Sequence, residues 1–160
     1  MKVKLRDLGD IGNVIAALGV IISLLVVAWE INGNTAAIHA EANLSLTNLV
    51  AANNVWVHDA QFLENRMRWG ADPDSLSPAE TQQVIYYFAE QFNIWDQAFL
   101  LYEQGMLPEP IWEGWNRGVG TALLGPRVRD LWQRFLSDSF DDPFVAYVNR
   151  FYEQNPIPEQ

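Results

Sequence analysis

The sequence contains no cysteine, which removes disulfides, thiolate metal sites and cysteine nucleophiles from consideration. Histidine is nearly absent as well. His39 and His58 are the whole supply, and neither follows a Glu at the Glu-x-x-His spacing that di-iron bundles require. Lysine stops at Lys4. Beyond residue 30 the only Lys or Arg cations are seven arginines, set against seventeen carboxylates, so residues 31–160 carry a net charge of −10. A surface of that sign is repelled by phosphate backbones and anionic headgroups, which argues against nucleic acid as a partner. Gly-x-Ser-x-Gly, a phosphate loop and any metal-spaced ligand set are missing. So are internal repeats and any strand-like alternation of useful length. These absences leave no recognisable catalytic set and no cofactor, and the chain reads as a non-enzyme.

What the sequence does have is one long uncharged run. Ile11 to Trp29 holds no ionisable residue, and eleven of its 19 positions are Ile, Val or Leu. At 1.5 Å per residue a helix of that length covers roughly 28 Å, the hydrocarbon thickness of a bilayer. The aliphatic residues favour insertion by very roughly 3 to 7 kcal/mol, against a modest penalty for Asn13 and Ser23. A cleavable signal peptide is the competing reading, since Ala28 offers a small residue after Val26-Val27. The length of the run, Asp7 and Asp10 in what would be the basic region, and Trp29 at an interfacial position favour an uncleaved anchor.

Sidedness follows from the flanks. Lys2, Lys4 and Arg6 precede the run, and no Lys or Arg follows it until Arg66. The positive-inside rule then leaves the N-terminus in the cytoplasm and puts the acidic domain on the extracytoplasmic side of the cell inner membrane.

After the anchor every segment reads as helix, which makes the chain all-α. The expected organisation is a tail and transmembrane anchor over 1–30, an acidic multi-helix domain over 31–153 and a loose tail over 154–160. From Ile31 to about Asn53 an Ala-rich amphipathic pattern either continues the membrane helix or starts again after Asn32-Gly33-Asn34. Asp59 caps a short helix carrying Phe62, Leu63 and Met67 and ending at Gly70. Ser77-Pro78-Ala79-Glu80 is a capping box with Pro at the first helical position. The helix it opens is the long central one. It carries Val84, Phe88, Phe92, Trp95, Phe99 and Tyr102 as one apolar stripe, with Tyr86, Glu90, Asn93 and Gln97 opposite, and stops at Gly105. A further helix begins around Pro108 and Pro110, with Trp112, Trp115, Val119 and Ala122 on one face, until Gly125-Pro126. A short helix with Val128, Leu131, Trp132 and Phe135 inward comes next. The last opens at Asp141-Asp142-Pro143 and presents Phe144, Val148 and Phe151.

Three features carry functional interest. Gly9, Gly12, Ala16, Gly19 and Ser23 are spaced 3, 4, 3 and 4, so they share one seam of the anchor. Such a seam lets a second helix approach closely in lipid, although Gly and Ala are common in membrane helices and the spacing also arises by chance. Trp95, Phe99, Trp112 and Trp115 are candidates to line an apolar pocket or partner surface, and the same spacing equally describes a filled core. The carboxylates form no catalytic pair. Glu90 and Asp96 point to different sides of their helix, while Asp141 and Asp142, near Asp138, sit where capping and helix-dipole roles explain them.

The arrangement resembles a broad group of uncharacterised bacterial single-pass membrane proteins. These have an N-terminal transmembrane helix, an Ile-x-x-Asn-Thr-x-Ala motif and an acidic all-helical domain. Ile31-Asn32-Gly33-Asn34-Thr35-Ala36-Ala37 supplies the motif. The likeness continues at Asp72-Pro73-Asp74-Ser75-Leu76-Ser77-Pro78, Tyr102-Glu103-Gln104-Gly105-Met106-Leu107, Trp112-Glu113-Gly114-Trp115, and near Trp132 and Phe144-Val145-Ala146-Tyr147. The resemblance brings no activity, cofactor or functional residue with it. Similar proteins tend to place Arg just after the span, which implies a cytoplasmic domain. This chain has Asn32, Ala36 and His39 there, and its own charges point outward.

The expectation is thus a membrane-tethered interaction module or accessory subunit. Its partners are the lipid bilayer and another membrane protein, or a second copy, through the anchor. The alternative is a small-molecule sensor with an aromatic-lined cavity in the helical domain.

Overall fold

No proline occurs before Pro73, so nothing in the first third of the chain forbids a continuous helix. In the computed structural model, which describes residues 5–54 and 56–157, that stretch forms α1, Leu5–Asn53. The helix does not restart at Asn32-Gly33-Asn34. Thr35 instead donates its hydroxyl to the Ile31 carbonyl at 2.9 Å, a back-bond a helix accommodates. Five further helices follow: α2 Ala60–Ala71, α3 Pro78–Glu103, α4 Glu109–Ala122, α5 Pro126–Leu131 and α6 Asp142–Gln154. No strand occurs among the described residues, and the fold is all-α.

The chain divides into two units, residues 1–40 and 41–160. In the first, every residue from Ala16 to Ile38 is exposed, including the aliphatic run from Leu18 to Val27. In the second, Ala42 and Leu46 are the first buried side chains.

The caps fall where the sequence puts them. Asp59 Oδ1 accepts from the backbone N–H groups of Gln61 and Phe62 at 2.9 and 3.2 Å, starting α2. Ser77 Oγ accepts from Glu80 N at 3.3 Å, and Glu80 Oε2 accepts from Ser77 N at 2.8 Å, closing the capping box of α3. Gly105, at φ +69°, ends that helix in the left-handed region that favours glycine. Asp141 precedes α6 in extended conformation, but its side chain makes no cap hydrogen bond.

Several apolar residues of these helices face solvent, Leu63, Met67, Leu100 and Phe135 among them. In α2 the buried positions are Phe62, Asn65 and Trp69, at i, i+3 and i+7, whereas Met67 is 76% exposed. Met67 stands five residues from Phe62, about 140° around the helix, so the two cannot share a face. Phe135, expected inward, is 69% exposed, because Trp132–Leu136 winds as a π-turn. The wider turn rotates Phe135 away from the face that Val128, Leu131 and Trp132 bury, while Leu136 and Phe140 pack against the core.

The core of the second unit is mostly aromatic. Phe92 stacks on Trp132 at 4.6 Å between centroids. Trp95 meets Phe144, Tyr147 and Phe151 edge to face at 5.8, 5.8 and 5.0 Å. Tyr102 stacks on Trp112 at 5.1 Å. Such pairs contribute about 0.5–1.5 kcal/mol each beyond the burial of their area.

Candidate functional site

The anchor candidates lie on α1. Ala16, Gly19 and Ser23 are exposed, and a β-carbon built on Gly19 meets nothing within 4 Å. Gly9 and Gly12 belong to the same helix, but their surroundings lie outside the described residues. This is the one helix, among the residues described, that is long and apolar enough to cross a membrane.

The four aromatic candidates separate. Trp95 is 0% exposed and donates its indole N–H to Asn116 Oδ1 at 3.1 Å, tying α3 to α4. Phe99 lies 6.1 Å from the Trp112 ring and 4.9 Å from Tyr147. Trp112 is buried between Tyr102 and Tyr147. Side chains thus fill the space between α3 and α4 around these three, where the sequence allowed a ligand cavity. Trp115 differs. It is half-buried, donates Nε1–H to Asn43 Oδ1 at 3.3 Å, and lines an open apolar groove of about 480 Å³ between α4, Val50 of α1 and Gln91 of α3. Ile111 and Val119 share that groove with Gly114 and Gly118, at which an added β-carbon would meet nothing.

A second groove, of about 450 Å³, forms where the end of α1 passes the outer face of α3. Leu49, Ala52 and Ile94 supply its apolar surface, and the Trp56 and Tyr86 rings line it. Its polar groups are Asn53, Glu90, Asn93 and Gln97. Tyr86, Glu90, Asn93 and Gln97 are the polar stripe read from the sequence. Asn53, Trp56 and the ordering residue Gln91 are not. Gln91 Nε2 donates to Asn53 Oδ1 at 2.9 Å, a bond across 38 residues that no local pattern announces.

The titratable groups describe structure more than chemistry. The Glu80 carboxyl is held below its ordinary range by its bonds to the Ser77 backbone and hydroxyl. Burial pushes the Asp96 carboxyl up, and the nearby Asp141 adds to the shift. Burial likewise raises the Tyr147 and Tyr152 hydroxyls, the latter donating to the Leu123 carbonyl at 3.0 Å. Arg129 donates to the carbonyls of Tyr152 and Asn155 at the end of α6 and lies 4.5 Å over the Tyr152 ring. Its cation is thereby engaged in terminating a helix. Among the described residues, no three His, Asp or Glu side chains come together as a metal site would need.

No protein-family model matches the chain, and no curated protein or solved structure matches it.

Proposed function

We propose that this protein is a membrane-tethered helical module that acts through association, as an accessory subunit, with no catalysis of its own. The observation that carries the reading is the bare aliphatic surface of α1. Leu18, Val20, Ile21, Ile22, Leu24 and Leu25 are all exposed. In water so long an apolar surface is unfavourable by about 25 cal/mol per Å², and a bilayer removes that cost. Trp29, also exposed, suits the headgroup level at one end of the span. The charge asymmetry of the flanks supports an inner-membrane protein with its acidic domain on the extracytoplasmic side.

The open seam at Ala16, Gly19 and Ser23 supports pairing with another membrane helix, or with a second copy, through close backbone approach. A two-hybrid assay in membranes tests this directly. Replacing Gly12 and Gly19 together with Ile is expected to abolish association while leaving membrane insertion intact. Unchanged association, or only monomer with no co-purifying protein after mild detergent extraction, contradicts it.

A further inference from the structure

The groove between the end of α1 and the outer face of α3 combines features that the tethering role does not use. Asn53 is only 9% exposed, and its carbonyl end is occupied by Gln91. A largely buried carboxamide, held by one bond from Gln91, thus lines the groove. Around it stand a carboxylate, Glu90, two more carboxamides, Asn93 and Gln97, and the rings of Trp56 and Tyr86. Tyr86 is 60% exposed, so its ring is open to a ligand in the groove.

We infer that this groove is a binding site for a neutral carbohydrate. Its chemistry selects that class by elimination and by fit. No Lys, Arg or His lines it, and Glu90 is its sole charge, so phosphates and sugar acids are disfavoured. An organic cation would satisfy Glu90 and the rings but cannot accept from Asn53. A hydroxyl does both jobs, accepting from the Asn53 amide and donating to the Glu90 carboxylate. Adjacent hydroxyls on a sugar ring match the paired donors and acceptors of planar carboxamides. The C–H face of the same ring suits the electron-rich face of an aromatic side chain. The volume lies within the roughly 300–1,000 Å³ of small-ligand sites.

The test uses the full-length chain in a polyoxyethylene detergent, because glycoside detergents would compete for the site. Isothermal titration with cellotetraose, maltotetraose and tetra-N-acetylchitotetraose is compared with tetramethylammonium chloride and inorganic phosphate. Saturable binding of at least one tetrasaccharide, with Kd of about 1 mM or tighter, is expected, and neither control should bind. Tyr86→Ala and Glu90→Gln should each weaken binding at least about tenfold with an unchanged circular dichroism spectrum. Absence of binding by all three sugars overturns the inference. So does binding that either variant leaves unaltered, or selective binding of either control.

Discussion

Gly120 faces the Phe151 ring so closely that a β-carbon at residue 120 would lie 2.6 Å from Phe151 Cζ. The ring has little freedom to retreat, since it meets Trp95 edge to face at 5.0 Å. Gly120→Ala is therefore expected to destabilise the helical domain by about 1–3 kcal/mol. Gly114→Ala and Gly118→Ala, where a methyl meets nothing, should each stabilise it by about 0.5–1 kcal/mol through helix propensity. Urea unfolding of the three variants reads both signs, and equal effects at all three positions would contradict the packing described.

The bond from Trp95 to Asn116 predicts a coupled pair. Asn116→Ala leaves a fully buried indole N–H without its acceptor and should cost about 1–3 kcal/mol. The double variant Trp95→Phe, Asn116→Ala should cost less than the two single changes added together. Strict additivity in a double-mutant cycle would mean that the bond contributes nothing.

Two carboxylates should give opposite pH signatures. The folded Glu80 titrates below its ordinary 4.5, so its contribution is present above that value and is lost as pH falls through the lower folded value. Glu80→Gln should remove this acid-sensitive component. Asp96 is shifted the other way, so the folded state holds its proton more firmly and the stability it offers declines as pH rises above 3.8. Asp96→Asn should therefore be more stable than wild type at neutral pH, with the advantage vanishing on acidification. Thermal unfolding followed across roughly pH 3 to 7 measures both slopes.

The π-turn makes its own prediction. Phe135→Ser should change stability by no more than about 0.5 kcal/mol, since the ring already faces solvent. Phe144→Ala, at a fully buried ring, should cost about 3–5 kcal/mol. A large loss at Phe135 would place it back in the core, where simple helical spacing puts it.

The parts of the fold that depend on neighbours in sequence are legible there. Asp59, the Ser77–Glu80 box and Gly105 act within one turn of chain, and each stands at the helix end its chemistry demands. The central stripe from Val84 to Tyr102 is equally plain, because one face of a long helix repeats. Phe135 defeats the pattern because a π-turn shifts its phase without a distinctive residue to mark it. Met67 shows that apolar character alone does not set inward direction. The groove beside α3 is only half visible in the sequence. Its exposed polar stripe shows in the periodicity, whereas Asn53 and Gln91 find each other through the tertiary fold.

Alkaline carbonate extraction of membranes from cells producing the full-length chain tests the central proposal most directly. The protein should remain in the sedimented membranes until detergent is added. Replacing Ile22 and Leu25 together with Asp should release it, because two carboxylates inside the span offset the insertion energy of the aliphatic run. Wild-type protein recovered quantitatively in the detergent-free supernatant would contradict the tether, and with it the association through α1.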